Sequence, residues 1–190
     1  MANLNDDAGQ TVTLSALLQR SVDRVAVPGK TITFKIDSTS VGTDVTATNG
    51  VAKVKYTIPV SLGAGSHVIT ANFAGDNDYA PNSGMGSLTV YFNTRVTVSS
   101  TKAIPGRRVF IQALIRRDPD GSPVPGKTIT FKLDSASAGT AVTAGNGVAT
   151  LHYIVPTSLT SGNHTITAAF AGDAVYQSSS QTGTLKVQRH

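Results

Sequence analysis

The chain of 190 residues contains no Cys and carries a formal net charge of +5 at pH 7. Without Cys, disulfides and thiolate metal sites are excluded, and no apolar run reaches the roughly 18 residues that a membrane-spanning helix needs. Glu is also absent, whereas Thr, Val and Ser are abundant. Because Thr and Val suit the pleated, half-buried surface of a sheet, the composition favours an all-β protein.

The chain contains an internal repeat. The stretch Val27–Lys35 returns unchanged as Val124–Lys132, 97 residues later. The match continues without a gap when Val27–Val90 is laid on Val124–Val187, and 39 of those 64 positions are identical. A period of this length is close to the common size of a domain. We therefore expect two domains, repeat 1 over residues 1–93 and repeat 2 over residues 94–190.

Each repeat consists of short alternating segments separated by turn signals, the pattern of a β-sandwich. The first strand, the strand after the Pro-Gly turn and the strand before the Gly-Asp turn each place apolar side chains on one face. These are Val12, Leu14, Ala16, Leu18, Ile32, Phe34, Ile36, His67, Ile69, Ala71 and Phe73 in repeat 1, and Val109, Ile111, Ala113, Ile115, Ile129, Phe131, Leu133, His164, Ile166, Ala168 and Phe170 in repeat 2. Period-2 alternation of this kind predicts strands with one buried and one solvated face.

Asn-Gly pairs stand in the middle of both repeats. Asn49-Gly50 and Asn146-Gly147 each follow a shorter strand and precede another alternating one. Asn-Gly accepts positive φ at both central positions of a tight turn, so the pairs predict a hairpin at this point. The strand after the turn directs Ala52, Val54 and Tyr56 inward and exposes the two lysines between them.

Only Asn93, Thr94 and Arg95 separate the last strand of repeat 1 from the apolar pattern that opens repeat 2. Because so short a link contains neither Gly nor Pro, we expect the domains to lie end to end in a fairly stiff arrangement. Tyr91 and Phe92 have no aromatic equivalents in repeat 2. Two alternatives stay open for them: packing at the junction, or completion of the repeat 1 core by one of them.

The stretch 94–99 predicts an opening strand for repeat 2. Its counterpart in repeat 1 would lie almost wholly before Met1, so we expect repeat 1 to lack its first strand and to begin part-way through its own domain, inside a longer exported chain. A neighbouring strand would then present unpaired backbone groups, which invite strand addition from another segment. Repeat 1 should be less stable than repeat 2, or be completed by such a segment.

The pattern Pro-Gly-Lys-Thr-Ile-Thr-Phe, then Gly-Thr, Asn-Gly-Val-Ala and Gly-x-His-x-Ile-x-Ala-x-Phe-x-Gly-Asp, resembles the bacterial immunoglobulin-like repeats of large surface and secreted proteins. The resemblance covers nearly the whole chain and implies two tandem immunoglobulin-like β-sandwiches. It implies an extracellular or cell-surface location, and neighbouring repeats of the same parent chain as partners. The family serves as stalks, spacers and adhesin arms, so the resemblance specifies fold more sharply than function.

His67 and His164 are the only histidines at equivalent positions. Each repeat has one histidine at this position, and the pattern places no second His or Cys nearby, which argues against a zinc site. We expect a buried, hydrogen-bonded structural histidine at the end of each core. His152 falls on an exposed phase of its strand, and His190 is terminal.

Asp76 and Asp78 could join a calcium site, since oxygen-rich loops suit that ion. Repeat 2 keeps only Asp173, with Val175 in place of Asp78, so such a site would not be common to both repeats. An Asp after Gly more often bonds the backbone of its own turn, and we predict no metal or cofactor.

The positive charge is uneven: residues 1–93 carry six Lys/Arg and seven Asp, giving −1, and residues 94–190 carry ten Lys/Arg and four Asp, giving +6. Arg107-Arg108 and Arg116-Arg117 flank one strand of repeat 2. They are either a solvated surface or a basic rim for weak contact with an anionic polymer. No aromatic residues interleave with them, so nucleic acid binding is not expected.

No paired carboxylates, no nucleophile beside a base and no phosphate loop emerge from the pattern, so we predict no catalytic residue and no enzyme. Most aromatic side chains belong to the predicted core. Phe110 is predicted to point outward, where it could contact a glycan. The sequence therefore predicts a non-catalytic spacer or stalk segment of a large bacterial surface or secreted protein. The alternative is an adhesive module for a host, wall-polymer or glycan ligand.

Overall fold

The computed structural model describes residues 1–118 and 120–188. Over these residues the chain forms β-strands and a single short 3-10 helix, which confirms the all-β prediction. Two compact units divide between Tyr91 and Phe92, and we call them unit 1 and unit 2. The division lies two residues before the expected boundary between residues 93 and 94. Arg189 and His190, at the end of repeat 2, lie outside the described residues.

Unit 1 is built from two sheets. Its strands are β1 (Leu4–Asp7), β2 (Thr11–Leu17), β3 (Thr31–Ile36), β4 (Thr39–Val45), β5 (Val51–Thr57), β6 (Gly65–Phe73) and β7 (Asn82–Tyr91). The 3-10 helix, Val60–Leu62, lies between β5 and β6. One sheet has the order β1-β7-β6-β3-β4, and β2 and β5 form the other. Only β1 and β7 run parallel among these pairs.

Unit 2 repeats this plan with one additional strand. Its strands are β8 (Thr94–Val98), β9 (Thr101–Ala103), β10 (Arg108–Arg117), β11 (Thr128–Leu133), β12 (Ala136–Val142), β13 (Val148–Ile154), β14 (Gly162–Phe170) and β15 (Ser179–Val187). One sheet has the order β12-β11-β14-β15-β9 and the other the order β13-β10-β8. The strand without a full counterpart in unit 1 is β8, since the residue equivalent to its last position, Val98, is Met1.

The core of each unit lies between the apolar faces of its two sheets. The predicted alternation is present: in β3 the side chains of Ile32, Phe34 and Ile36 are buried, and in β11 those of Ile129, Phe131 and Leu133 are. Full burial of one such side chain contributes about 1.5–3 kcal/mol. The two phenylalanines are completely buried, so the repeated Thr-Ile-Thr-Phe segment supplies the centre of both cores.

The predicted Asn-Gly hairpins are wrong. Because β4 pairs with β3 while β5 pairs with β2, the segment between β4 and β5 crosses from one sheet to the other. Within each Asn-Gly pair, the glycine alone takes positive φ, +73° at Gly50 and +79° at Gly147. The side-chain oxygen of Asn49 instead accepts a hydrogen bond from the backbone N–H of Val51 at 3.1 Å. The Asn-Gly dipeptide predicts a turn, but it does not predict whether the two flanking strands pair with each other.

A buried threonine anchors this crossover segment in each unit. Thr143 is 4% exposed, and its hydroxyl donates to the carbonyl of Val124 at 2.8 Å. The same oxygen accepts the backbone N–H of Lys127 at 2.9 Å. Thr46 makes the equivalent two bonds in unit 1. The Pro-Gly turn is thus tied to the segment that links the two sheets.

Candidate functional site

A Lys–Asp–Tyr cluster follows β6 in unit 1. Nζ of Lys30 lies 2.6 Å from Oδ2 of Asp76 and 5.1 Å from the centre of the Tyr79 ring. Oδ1 of Asp76 accepts the backbone N–H groups of Asp78 and Tyr79, each at 2.9 Å. Both carboxylate oxygens therefore serve the turn and the neighbouring ammonium.

Unit 2 repeats the cluster with Lys127, Asp173 and Tyr176. Nζ of Lys127 lies 2.7 Å from Oδ2 of Asp173 and 5.0 Å from the centre of the Tyr176 ring. Oδ1 of Asp173 accepts the backbone N–H groups of Val175 and Tyr176 at 2.9 Å each. Because a lysine ammonium supplies the positive charge in both units, the turn role of these aspartates is favoured over the calcium alternative.

A His–Asp pair joins β6 to the turn between β3 and β4, and its twin joins β14 to the turn between β11 and β12. Nδ1 of His67 lies 2.9 Å from Oδ2 of Asp37, and Nδ1 of His164 is hydrogen-bonded to Oδ2 of Asp134. Both histidine side chains are nearly buried, at 12% and 10% exposure. The aspartates have φ of +53° and +46°, a left-handed conformation that Asp adopts more readily than most residues.

The two histidines differ at their second nitrogen. Nε2 of His164 lies 2.8 Å from the carbonyl oxygen of Thr160, so both ring nitrogens face acceptors. In unit 1 the equivalent of Thr160 is Gly63, at the end of the 3-10 helix, and Nε2 of His67 is buried without a hydrogen-bond partner among the described residues. The unit 2 site therefore fits a doubly protonated imidazolium better.

Local contacts shift the pKa values of His164, Asp134 and Asp173. The hydrogen bond to Asp134, followed by that to Thr160, raises the pKa of His164, because only the imidazolium can donate to both acceptors. The hydrogen bond from His164 in turn lowers the pKa of Asp134. Burial raises the pKa of Asp173, but the hydrogen bonds from Lys127 and two backbone amides together outweigh burial and lower it.

Residues 1–118 and 120–188 contain no group of three or more His, Cys, Asp or Glu side chains placed to hold a metal ion. Each of the two buried histidines pairs with a single carboxylate.

The four arginines at the ends of β10 have different surroundings. Arg117 forms an ion pair with Asp120, and Arg116 donates to the carbonyl of Gly121 at 2.7 Å. Arg107 and Arg108 instead line a shallow pocket together with Lys102. None of these three has an ion-pair partner within the described part of the chain. Positive charge without an acidic partner is thus concentrated at the start of β10.

Phe110 is 55% exposed, and its ring centre lies 4.8 Å from that of His152 in an edge-to-face arrangement. Both side chains are on the outer face of the β10–β13 pair, where they stand opposite each other. A single exposed ring offers a narrow platform for a glycan.

Strand β8 covers one side of β10 in unit 2. It pairs antiparallel with β10, so that Val96 stands opposite Ile115 and Val98 opposite Ala113. Val96 is 2% exposed, and Ala113 and Ile115 are 1% and 0% exposed. This strand therefore completes the core of unit 2 along that side.

Phe92, two residues before the start of β8, belongs to unit 2. It is 5% exposed, its ring centre lies 6.0 Å from that of Tyr176, and the guanidinium of Arg117 lies 4.4 Å from the ring centre. Its backbone N–H donates to the carbonyl of Val175, and its carbonyl accepts the N–H of Gln177, both at 2.9 Å. Of the two alternatives left open for this residue, completion of the unit 1 core is wrong.

Unit 1 has a groove where β8 and Phe92 lie in unit 2. Ala16 and Leu18, the equivalents of Ala113 and Ile115, are only half-buried. The groove consists of two adjoining pockets that share Leu18, Phe73 and Asn82. Met1 lies at one end and Tyr79 at the other.

A sequence model of the bacterial Ig-like domain, group 3, matches the chain twice, over residues 2–91 and 96–188. The chain belongs to this family. The two Ig-like domains coincide with units 1 and 2 within a few residues. A search of curated proteins found no significant relative.

Several solved structures are similar to this chain in fold. An ectodomain fragment of ICAM-5 is 12% identical with a TM-score of 0.58, over 97% of this chain and 51% of that one. A fragment of a protein named Rst is 12% identical with a TM-score of 0.55, over 98% and 95% of the two chains. A titin fragment of three Ig domains is 15% identical with a TM-score of 0.50, over 99% and 63%. At these identities the likeness shows the fold alone.

In the described part of this Ig-like pair, no helix has the length and apolar character needed to cross a bilayer.

Sequence reasoning missed the partners of the repeated polar residues. Asp37 and Asp134 hold the two histidines, and Lys30 and Lys127 hold the turn aspartates. A signal was present, since each of these residues is identical in both Ig-like domains. At these positions, identity between the repeats coincides with a side-chain contact between two segments of the same unit.

Proposed function

We propose that this Ig-like pair is a non-catalytic structural segment, a spacer or stalk, of a large bacterial surface or secreted protein. Its principal partners are then neighbouring Ig-like repeats of the same parent chain. The observation that carries the proposal is the duplication of the Lys–Asp–Tyr and His–Asp clusters in the two units with the same bonds.

The geometry of these clusters supports a structural role over a chemical one. Each carboxylate of the His–Asp pairs also accepts a backbone N–H, from Val68 at 3.0 Å in unit 1 and from Thr165 at 2.8 Å in unit 2. Catalytic groups need a reacting atom within hydrogen-bond reach, whereas here both carboxylate oxygens are used internally. Family membership supports the same proposal, and it also supports an extracellular or cell-surface location.

The test is a replacement at constant length in the parent protein. Residues 1–190 are exchanged for another Ig-like pair of the same length with unrelated surface residues, and a second strain carries a deletion of the pair. Antibody accessibility of the parent's neighbouring segments and adhesion of the cells are measured. A spacer predicts that the exchange preserves both and that the deletion reduces them. Loss of adhesion on exchange, with display intact, would refute the spacer role.

The basic group Lys102–Arg107–Arg108 favours a second candidate, an adhesive module for an anionic wall polymer or an anionic glycan. Three unpaired cations in one shallow pocket attract polyanions, and the attraction weakens as salt screens it. Binding of polyphosphate to the full chain would be measured by calorimetry at low and physiological salt. Arg107→Ala with Arg108→Ala should weaken it, whereas Lys53→Ala with Lys55→Ala, a change of equal charge in unit 1, should not.

A further inference from the structure

The unit 1 groove keeps the walls of the site that holds Phe92–Val98 in unit 2. At the aromatic end of that site, unit 2 uses Arg117 and Tyr176, and unit 1 has Arg20 and Tyr79 at the equivalent positions, both lining the groove. The ion pair that orients the arginine is also repeated, with Asp23 bonded to Arg20 as Asp120 is bonded to Arg117.

We propose that this groove binds an extended peptide segment that runs antiparallel to β2 and carries an aromatic residue, then Thr two residues later and Val four residues later. The pattern is that of Phe92, Thr94 and Val96 in unit 2. The partner is defined by this chemistry: a β-strand whose inward side chains are aromatic, hydroxyl and β-branched in that order. The inference concerns unit 1 alone and is independent of the spacer role.

The aromatic residue is recognised by a cation and a ring. Arg117 is 23% exposed under Phe92, whereas Arg20 at the equivalent position is 46% exposed. A guanidinium over an aromatic face stabilises by about 0.5–1 kcal/mol at a partly exposed site. The Arg20–Tyr79 end of the groove therefore selects an aromatic side chain over an aliphatic one.

The threonine has polar partners and the valine an apolar wall. In unit 2 the hydroxyl of Thr94 donates to the carbonyl of Gln177 at 2.9 Å and bonds Oγ of Ser179 at 2.6 Å. The equivalent residues, Ala80 and Asn82, line the groove. Val96 stands opposite Ile115 in unit 2, and the equivalent of Ile115 in unit 1 is the half-buried Leu18. A β-branched side chain placed opposite Leu18 would therefore complete the core.

The backbone of the partner has a strand to pair with. β10 pairs with β13 on one side and β8 on the other, whereas β2 pairs only with β5 within the described residues. Edge strands of this kind take up added strands. Gly86 and Gly183 are equivalent, and a Cβ on either would lie within 3.2 Å of the Met1 or Val98 side chain. Met1 thus occupies the place of Val98, and a six-residue segment fits directly before it.

The test titrates a peptide copying residues 92–97 into the full chain labelled with ¹³C at the methionine methyls. The chain has two methionines: Met1 lies at the end of the groove, and Met85 is 70% exposed. The expected result is a saturable shift of the Met1 signal with little change at Met85, and a higher melting temperature for unit 1. A peptide with neighbouring residues exchanged, which moves the aromatic residue and valine to the other face, is the control and should do neither.

Variants of the groove sharpen the test. Arg20→Ala should lower the affinity of the groove for the peptide by about two- to fivefold. Lys53→Ala, which removes a charge elsewhere in unit 1, should leave the affinity unchanged. The same segment fused directly before Met1 should raise the melting temperature of unit 1 without altering unit 2. The proposal is overturned if neither the peptide nor the fusion acts on unit 1, if the exchanged peptide binds equally, or if self-association of the chain blocks the groove.

Discussion

His164 and Asp134 form a hydrogen-bonded pair that ties β14 to the turn between β11 and β12. The pair is reinforced on both sides, since Oδ1 of Asp134 accepts the N–H of Thr165 at 2.8 Å and the N–H of Asp134 donates to the carbonyl of Thr165 at 2.9 Å. A titratable side chain therefore contributes to the packing of the central strand of unit 2.

We expect unit 2 to lose stability as the pH rises from mildly acidic to alkaline values. The pKa of His164 is raised above 6.5 in the folded state, so its contribution is complete below 6.5 and is lost as the pH rises through the folded value. The pKa of Asp134 is lowered below 3.8, so its contribution is present above 3.8 and is lost as the pH falls through its folded value. Amide hydrogen exchange of β14, measured from about pH 4 to 9 and corrected for the intrinsic exchange rate, reports how the stability of unit 2 changes with pH.

Asp134→Asn is the control for that pH dependence. Asn tolerates positive φ and keeps an oxygen acceptor, but it cannot hold the imidazolium by charge. The variant should flatten the stability profile above pH 6.5. A profile as steep as that of the unaltered chain would show that His164 is not its source.

Thr143→Val should destabilise unit 2 by about 1–3 kcal/mol, because it leaves the buried carbonyl of Val124 and the part-buried amide of Lys127 without their partner at the crossover segment. In a domain of this size, 1 kcal/mol corresponds to roughly 4–8 °C in melting temperature. Thr143→Ser keeps the hydroxyl and should cost less. Calorimetry of the two variants decides, and a loss of stability for Thr143→Val no larger than that for Thr143→Ser would contradict the assignment of the effect to the two hydrogen bonds.

Gly147→Ala should destabilise unit 2 by more than about 1 kcal/mol. Its φ is +79°, and a Cβ would lie 2.6 Å from the carbonyl oxygen of Ile115, so both backbone strain and a clash oppose the substitution. Gly145 lies in the same segment with nothing within 4 Å of a Cβ. Gly145→Ala is therefore the matched control, with a change near zero expected in denaturant unfolding. Similar losses at both positions would contradict this explanation.

Asp173→Ala should cost about 1–2 kcal/mol, since it removes an acceptor of two backbone amides. Lys127→Met should cost less than about 1 kcal/mol, because an ion pair in contact with solvent, with its two side chains 27% and 34% exposed, is weak and is screened by salt. Urea unfolding of the two variants gives the order. A larger loss for Lys127→Met would mean that the ammonium over the Tyr176 ring, rather than the aspartate in the turn, holds this corner.

The sequence predicted the strands and the core because alternation is a local property: Ile32, Phe34 and Ile36 reveal their common face without knowledge of any partner. It predicted hydrogen-bonded histidines but not Asp37 and Asp134, because those partners lie 30 residues away and meet only after the sheet has formed. Asn49-Gly50 misled for the same reason, since the turn is local but the choice of sheet for each flanking strand is not.

Strands β9 and β15, close to the two ends of unit 2, are neighbours and run parallel, with Thr101 beside Leu185 and Ala103 beside Val187. Because parallel neighbours of this kind are displaced along their length when the two ends of the unit are pulled apart, we expect these strands to slide along each other instead of peeling. The backbone bonds between them are then loaded together in shear, and they must break nearly at once. β1 and β7 give unit 1 the same arrangement, so each unit resists tension along the chain through a patch of bonds at its own two ends.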